Sequence, residues 1–256
     1  MKAFSFELKG DMGFFKKNDT NSIVYTTYNF IHKLAVFGIF GAILGFEGYK
    51  RDKKSSFMEY YEKFKNFKVA IIPLYKKPPK KTLVIYNNST GLASKEAGGV
   101  LQVKEQVIVE NLGYKIFVPF LASFNENEKQ LYEKLEYMIK NKYAEYPIYF
   151  GKNEFLAYFE NYNSLEIKKL EFEESHVNSL VKMEDVEFFK EESIDEYELF
   201  EDDIAQKNTS IIEELPYDFD ENHIYKKDIF IFTDKKLKIK RKENFWRTNN
   251  EVIYIF

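Results

Sequence analysis

The 256 residues include no cysteine, only three histidines and a single tryptophan. Without cysteine there is no disulfide framework, no thiolate chemistry and no cysteine-based zinc site. That absence suits a reducing cytoplasm, the compartment expected here, and neither a metal nor a cofactor is expected. Long apolar runs are also missing. The most apolar stretch, Leu34–Phe46 (LAVFGIFGAILGF), falls short of the roughly 20 residues that a membrane span needs, so it reads as a buried helix and no membrane partner is expected. Met1–Gly10 alternates instead of presenting a long apolar segment, so no targeting sequence is expected.

Aromatic residues are abundant, with 26 Phe and 19 Tyr. They pack in aromatic-rich strands, or some of them stack on nucleobases. The net charge of −3 hides a strong asymmetry. Residues 1–100 carry 17 basic and 8 acidic side chains, and residues 153–222 carry 5 and 22. The last 34 residues carry 9 and 4. A basic first hundred followed by an acidic block suggests a polyanion on one face and a different partner, or solvent, on the other.

Periodicity orders the elements. Phe4, Phe6 and Leu8 share one face of a strand at Lys2–Leu8. Gly10–Asn29 is a long polar connection with turn residues at Gly10-Asp11 and Lys17-Asn18-Asp19. His32–Gly45 is a helix in which Gly38, Gly41 and Gly45 each cost about 1 kcal/mol relative to Ala. Close backbone approach, to a sheet or to a ligand, is the cheapest reason for them. Val69–Tyr75 is a buried strand, KKPPKK at 76–81 is a loop, and Leu83–Tyr86 with Val100–Val109 forms an inserted hairpin. Tyr114–Phe120 is a strand, Asn125 caps a helix to about Lys140, and Tyr146–Phe150 is a short strand closed by Gly151. Without the insertion the order is strand, helix, strand, strand, helix, strand. That is the ferredoxin-like pattern shared with RNA-recognition modules, an α+β fold that hosts many functions. Glu171–Asp203 is expected as peripheral strands and loops. Two terminal hairpins are expected, Ile229–Thr233 with Leu237–Lys240 and Phe245–Thr248 with Val252–Phe256. The expected division is 1–160 with an insertion at about 76–112, then 161–256.

These segments carry a family resemblance. FELKGDMGFFKKNDTN, YTTYNFIHKLAVFGIFGAILGFE and YPIYFGKNEFLAYF, followed by the closing Phe245–Phe256, resemble in order the motifs of the Cas-five family of CRISPR-associated proteins. Many members have two prolines before the glycine helix, where this chain has Ile31-His32. The resemblance, which is greatest to type I-B members, implies a protein of the repeat-associated mysterious protein superfamily with a thumb-like hairpin. Such proteins hold the 5′ handle of CRISPR RNA in the interference complex called Cascade. They contact its backbone and large subunits, and through the complex the target DNA. In that role the chain is not an enzyme. The alternative is a repeat-processing endoribonuclease, as among type I-C relatives.

Gripping single-stranded RNA needs cations for phosphates, rings for bases and donors for base edges. Lys16 and Lys17 follow Phe14 and Phe15; they contact phosphate or are a solvated pair. His32 and Lys33 open the glycine helix, whose first N–H groups favour an anion; His32 is otherwise a surface or capping residue. Tyr28 stands just before them. Lys76, Lys77, Lys80 and Lys81 bracket two prolines, as a basic clamp or a solvated run. Lys152 and Asn153 follow Gly151, one suited to a phosphate and the other to a base edge. Gly38 and Gly41 are expected as packing glycines.

Overall fold

A computed structural model describes residues 1–18, 23–48, 57–88, 101–189 and 210–256. The central strand is β1 (Lys2–Gly10). Its even positions Phe4, Phe6 and Leu8 are fully buried, as the alternation requires. On one side β1 pairs antiparallel with β5 (Leu112–Pro119), from Ala3↔Pro119 to Gly10↔Leu112. On the other it pairs with β6 (Ala157–Glu166), from Lys2↔Glu166 to Gly10↔Ala157, with a register shift between Ser5 and Glu7. The edge strand β2 (Ala70–Pro73) lies beyond β5, giving the order β2-β5-β1-β6. Tyr146–Phe150, expected as a strand, contributes only an isolated bridge, Tyr149↔Leu156. The edge strand is β6, whose polar sequence AYFENYNSLE hid it.

Two helices cover the Phe4–Phe6–Leu8 face. One is α1 (Lys33–Leu44), packed through Phe40 against Phe6 at 6.3 Å. The other, α3 (Glu126–Lys140), packs through Tyr132 against Phe4 at 5.1 Å. Asn125 and Glu128 form a reciprocal capping box at the start of α3. The short α2 (Glu59–Phe64) lies on α1. Most of the aromatic excess goes into this core. Phe37, Phe40, Phe64, Phe67, Phe124 and Tyr132 form a chain of tilted and edge-on rings, a geometry worth about 0.5–1.5 kcal/mol per pair beyond burial.

The opposite face is not open either. Ala3, Ala70, Ile72 and Phe117 form a second apolar cluster with Ile167, Ile253 and Ile255. The last two belong to the hairpin of β14 (Phe245–Arg247) and β15 (Val252–Tyr254) and the residue that follows it. Nearer β6 this face carries Glu7, Lys9 and Glu160, with the Lys9 ammonium 2.7 Å from each carboxylate.

β3 (Lys81–Asn88) and β4 (Leu101–Ile108) form a two-stranded antiparallel ribbon. The hairpin tip expected at 89–91 lies outside the described residues, as do Asp19 and 190–203 of the acidic block. The terminal half does not sit apart. Val177, Leu180, Val181, Ile211, Leu215, Phe230 and Ile231 are buried in the same core as α1. The peripheral placement expected for residues from 171 onward is therefore corrected for 177–186.

The first of the two expected terminal hairpins is also corrected. β12 (Tyr225–Thr233) pairs with β11 (Ser210–Phe219) and β9 (Val181–Lys182). β13 (Lys236–Ile239) instead joins β10 (Val186–Phe188) and β8 (Glu174–His176). The short turn at Asp234 lets the chain leave one sheet for another. The described residues make an α+β structure, mostly strand with few helices.

Candidate nucleic-acid interface

The segment after β1 is stitched across the molecule. Gly13 and Ile108 exchange backbone hydrogen bonds of 3.1 and 2.9 Å, and the Phe14 N–H donates to the Phe150 carbonyl at 3.0 Å. Lys16 bridges to Thr27, and the Phe15 N–H donates to Thr27 Oγ1 at 2.9 Å. Gly151 has φ +86° and lies so close that a Cβ there would run into the Phe14 carbonyl oxygen. Only glycine tolerates both conditions. Phe15 beneath packs edge-on against Phe150 at 5.7 Å.

This stitching leaves a groove along the outer face of α1. Its mouth, about 410 Å³, is lined by Lys16, His32, Glu105, Lys152 and Tyr225. It shares Phe15, Ala35, Gly38, Tyr60 and Gly151 with an apolar stretch of about 560 Å³ that runs on past Ala42, Tyr146 and Tyr149. Ala35, Gly38 and Ala42 fall on one side of the helix, so the floor is flat and close to the backbone. Tyr60 from α2 stands against it, with Tyr146 (52% exposed) and Tyr149 (42%) along the apolar stretch.

The two expected packing glycines separate here. At Gly41 a Cβ would lie 2.5 Å from Tyr60 Cβ, so close packing holds it. At Gly38 a Cβ would meet only Tyr60 Cζ at 3.9 Å, an ordinary contact. Gly38 is a floor position and not a packing necessity. Gly45 is the left-handed C-cap of α1, φ +78°, with Glu145 across it.

His32 is the N-cap of α1. Its Nδ1 accepts the Ala35 N–H at 3.2 Å, and burial lowers its pKa to about 3, so it is neutral. Lys33, in the first turn, is pulled down to about 8, chiefly by burial, against the attraction of Asp218. Lys152 donates to Glu105 at 2.7 Å and to the Tyr86 hydroxyl at 3.2 Å. Burial works against its charge, but these two bonds outweigh it and the pKa rises. The Lys16 ammonium lies 3.8 Å over the Tyr25 ring.

Lys33 is not in the lining of the groove mouth and feels the charges of Asp218, Lys68 and Lys182; the other RNA-binding candidates singled out from sequence form three groups. Lys16, His32 and Lys152 share the groove mouth, with Asn153 exposed beside it. Lys17, Tyr28 and Lys81 converge elsewhere. Lys17 pairs with the buried Glu213 at 2.9 Å and lies 5.0 Å over the Tyr28 ring, while Lys81 donates to the Thr27 carbonyl at 3.0 Å. Glu213 also accepts from the Asn29 backbone at 2.7 Å. Lys76, Lys77 and Lys80 are exposed on the loop before the ribbon and, among the described residues, make no ion pair. Sequence reasoning missed Tyr60, Tyr149, Glu105 and Glu213. Tyr60 and Tyr149 look like ordinary surface residues in sequence, whereas Glu105 and Glu213 stand on the apolar face of their strands, between Val103 and Val107 and between Ile211 and Leu215, a pattern that marks a buried charge.

Among the described residues no cluster of His, Asp and Glu could hold a metal ion, and no helix is long and apolar enough to cross a membrane. No family model matches the chain, and no curated protein does. Solved structures do. One is a CRISPR protein from Archaeoglobus fulgidus, at 10% identity over 99% of this chain and 98% of that one, with a TM-score of 0.49. Another belongs to a CRISPR RNA-guided surveillance complex, at 10% identity over 91% and 90%, TM-score 0.48. A third belongs to a type III-B Cmr-beta complex bound to cognate target RNA, at 11% identity over 94% and 86%, TM-score 0.46. These likenesses assign nothing to individual residues.

Proposed function

We propose that this chain is a non-catalytic, RNA-gripping subunit of a type I CRISPR interference complex, and that the groove along α1 takes the 5′ handle of the CRISPR RNA. The observation that carries this is the groove itself: a flat apolar floor beside exposed tyrosines, opening into a mouth with two lysines. Single-stranded RNA needs that combination, since unstacked bases seek rings while phosphates seek cations. The element order and the sheet order β2-β5-β1-β6 support a ferredoxin-like core. The β3–β4 ribbon is then the thumb, with Lys76, Lys77 and Lys80 at its root. The sequence resemblance supports the rest: type I-B membership, contacts with a backbone and a large subunit, and target DNA met through the complex.

Catalysis is not part of the proposal. Metal-free RNA cleavage needs a base for the 2′-hydroxyl and a stabiliser for the leaving oxygen. His32 is neutral, as a base must be, but its Nδ1 is engaged in capping α1.

The test is handle-RNA binding by fluorescence anisotropy across a salt series. Replacing Lys76, Lys77 and Lys80 by Ala is expected to reduce the slope of log K against log salt by about 0.7 for each phosphate left without its lysine. Tyr149→Ala is expected to weaken binding at every salt concentration with little change of slope. Identical curves for all variants would remove the groove and ribbon from RNA binding. Specific cleavage of repeat RNA in EDTA, abolished in His32→Ala, would establish the endoribonuclease alternative.

A further inference from the structure

Two polar groups in the groove along α1 have no hydrogen-bond partner among the described residues. The first is the Tyr60 hydroxyl. Tyr60 lies along the helix: a Cβ at Gly41 would meet Tyr60 Cβ at 2.5 Å, and one at Gly38 would meet Tyr60 Cζ at 3.9 Å. The ring therefore runs from Gly41 toward the start of α1, and its hydroxyl projects past Gly38. Tyr60 lines both the mouth and the apolar stretch, so the hydroxyl sits where the two meet. It is not sealed from solvent. Burial, with Tyr225 and Tyr149 beside it, pushes its pKa up, so the phenol keeps its proton and can donate or accept.

The second is His32, only 7% exposed. Its Nδ1 accepts the Ala35 N–H, and the ring is neutral because burial lowers its pKa to about 3. Its one ring proton is therefore on Nε2. Among the described residues nothing accepts that proton, and Nε2 is not sealed in the core. It reaches the mouth, which His32 lines. A donor buried to this degree is costly until an acceptor arrives.

In a nucleotide the ribose lies between phosphate and base. The groove has lysines at its mouth, Lys16 and Lys152, and exposed rings along its apolar stretch, Tyr146 and Tyr149. The junction between them is the place for the sugar. We propose that Tyr60 Oη and His32 Nε2–H recognise ribose 2′-hydroxyls, which makes the groove select RNA over DNA. This rests on the groove being the RNA site. A 2′-hydroxyl is donor and acceptor at once, so it takes the His32 proton and satisfies the Tyr60 hydroxyl in either sense. Deoxyribose leaves both groups unpaired, and a site built to bond a hydroxyl rejects the analogue that lacks it. Both groups are neutral, so this preference does not depend on salt, unlike a lysine–phosphate contact.

The test uses the full chain with fluorescein-labelled octauridylate and octadeoxyuridylate, strands that differ only at the 2′ positions. The unaltered chain is expected to bind the RNA at least about fivefold more tightly than the deoxy strand, by the same factor at low and at high salt. Tyr60→Phe keeps the ring against Gly41 and removes only the oxygen. It is expected to lower that ratio about two- to tenfold, the worth of one hydrogen bond, with binding of the deoxy strand unchanged. His32→Asn, which keeps an N-cap oxygen, is expected to lower the ratio likewise, and decides the matter should Tyr60→Phe misfold. Lys168→Gln on β7 (Lys168–Lys169), a strand paired with β14 and outside the groove, is expected to keep the ratio. A folded Tyr60→Phe that keeps the full ratio, or that weakens both strands alike as a base-edge contact would, overturns the proposal. Tyr149→Ala tells that failure from failure of the groove itself. Weaker binding of both strands in Tyr149→Ala supports RNA in the groove, and no effect on either strand removes the groove and the 2′-hydroxyl contact together.

Discussion

Replacing Gly38 and Gly41 of α1 by Ala, one at a time, separates packing from ligand access. Ala is about 1 kcal/mol more favourable than Gly inside a helix. At Gly38 the new methyl meets Tyr60 Cζ at 3.9 Å and displaces nothing. The full gain is therefore expected, raising Tm by about 2–4 °C for a chain of this size. At Gly41 the methyl would sit 2.5 Å from Tyr60 Cβ, close to the α2 backbone and not at the free end of a flexible side chain. Overpacking of this kind costs about 1–3 kcal/mol, which cancels or exceeds the propensity gain. The two variants should then differ by about 1–3 kcal/mol, with Gly41→Ala the less stable. Thermal unfolding followed by circular dichroism measures the difference. A third variant, Gly38→Leu, fills the groove floor without touching the core. It should fold and yet bind handle RNA at least tenfold more weakly in the anisotropy assay. If Gly41→Ala raises Tm as much as Gly38→Ala does, the Tyr60 contact does not constrain the helix. If Gly38→Leu keeps full affinity, the floor is not part of the RNA site.

Lys152→Met leaves the mostly buried Glu105 without its 2.7 Å partner and should cost about 2–3 kcal/mol in urea unfolding. Adding Glu105→Gln should recover most of that stability, and two strictly additive effects would show that the pair is not coupled. Tyr254→Phe removes the 2.6 Å donor to buried Asp185 and should cost about 1.5–3 kcal/mol, as expected for a hydrogen bond to a charged group. For His32 the folded pKa of about 3 lies below the unfolded value near 6.5, so the unfolded chain takes up the proton first. Its contribution is complete above pH 6.5 and is lost progressively toward pH 3, by about 2 kcal/mol at pH 5. His32→Asn, which keeps a capping oxygen, should flatten that part of the acid limb in denaturant titrations at pH 7 and pH 5.

Strands and helices with a strong period were legible in the sequence. Phe4-Phe6-Leu8 and the capped helix from Asn125 needed no tertiary information. β6 was not legible, because an edge strand can keep polar residues on both faces and so lose the alternation that reveals it. The Ile229–Lys240 segment read as a hairpin because two apolar runs flank a short turn. Nothing local records that the runs enter different sheets. The lysines of the site were visible by charge and place, and their partners were not. Glu213 lies 196 positions after Lys17, and Glu105 lies 47 before Lys152, separations that only the fold closes.

Those two partners change the electrostatics of the interface. A lysine held by a buried carboxylate is ordered in advance, so less side-chain entropy is lost when a phosphate binds. The same carboxylate cancels much of the field that the phosphate meets. At the groove mouth Lys152 is balanced by Glu105 and His32 is neutral, which leaves Lys16 as the uncompensated cation among the groove residues. If the groove takes RNA as proposed, rings and a flat floor supply most of the grip there, with a weak dependence on salt. On the same proposal, the exposed charge at Lys76, Lys77 and Lys80 supplies the salt-dependent part of binding and speeds encounter. The acidic block fits the same arrangement. Through Glu213 it supplies the counter-charge that fixes Lys17 beside Tyr28, so part of the charge asymmetry seen in sequence is resolved inside the molecule, between its own halves.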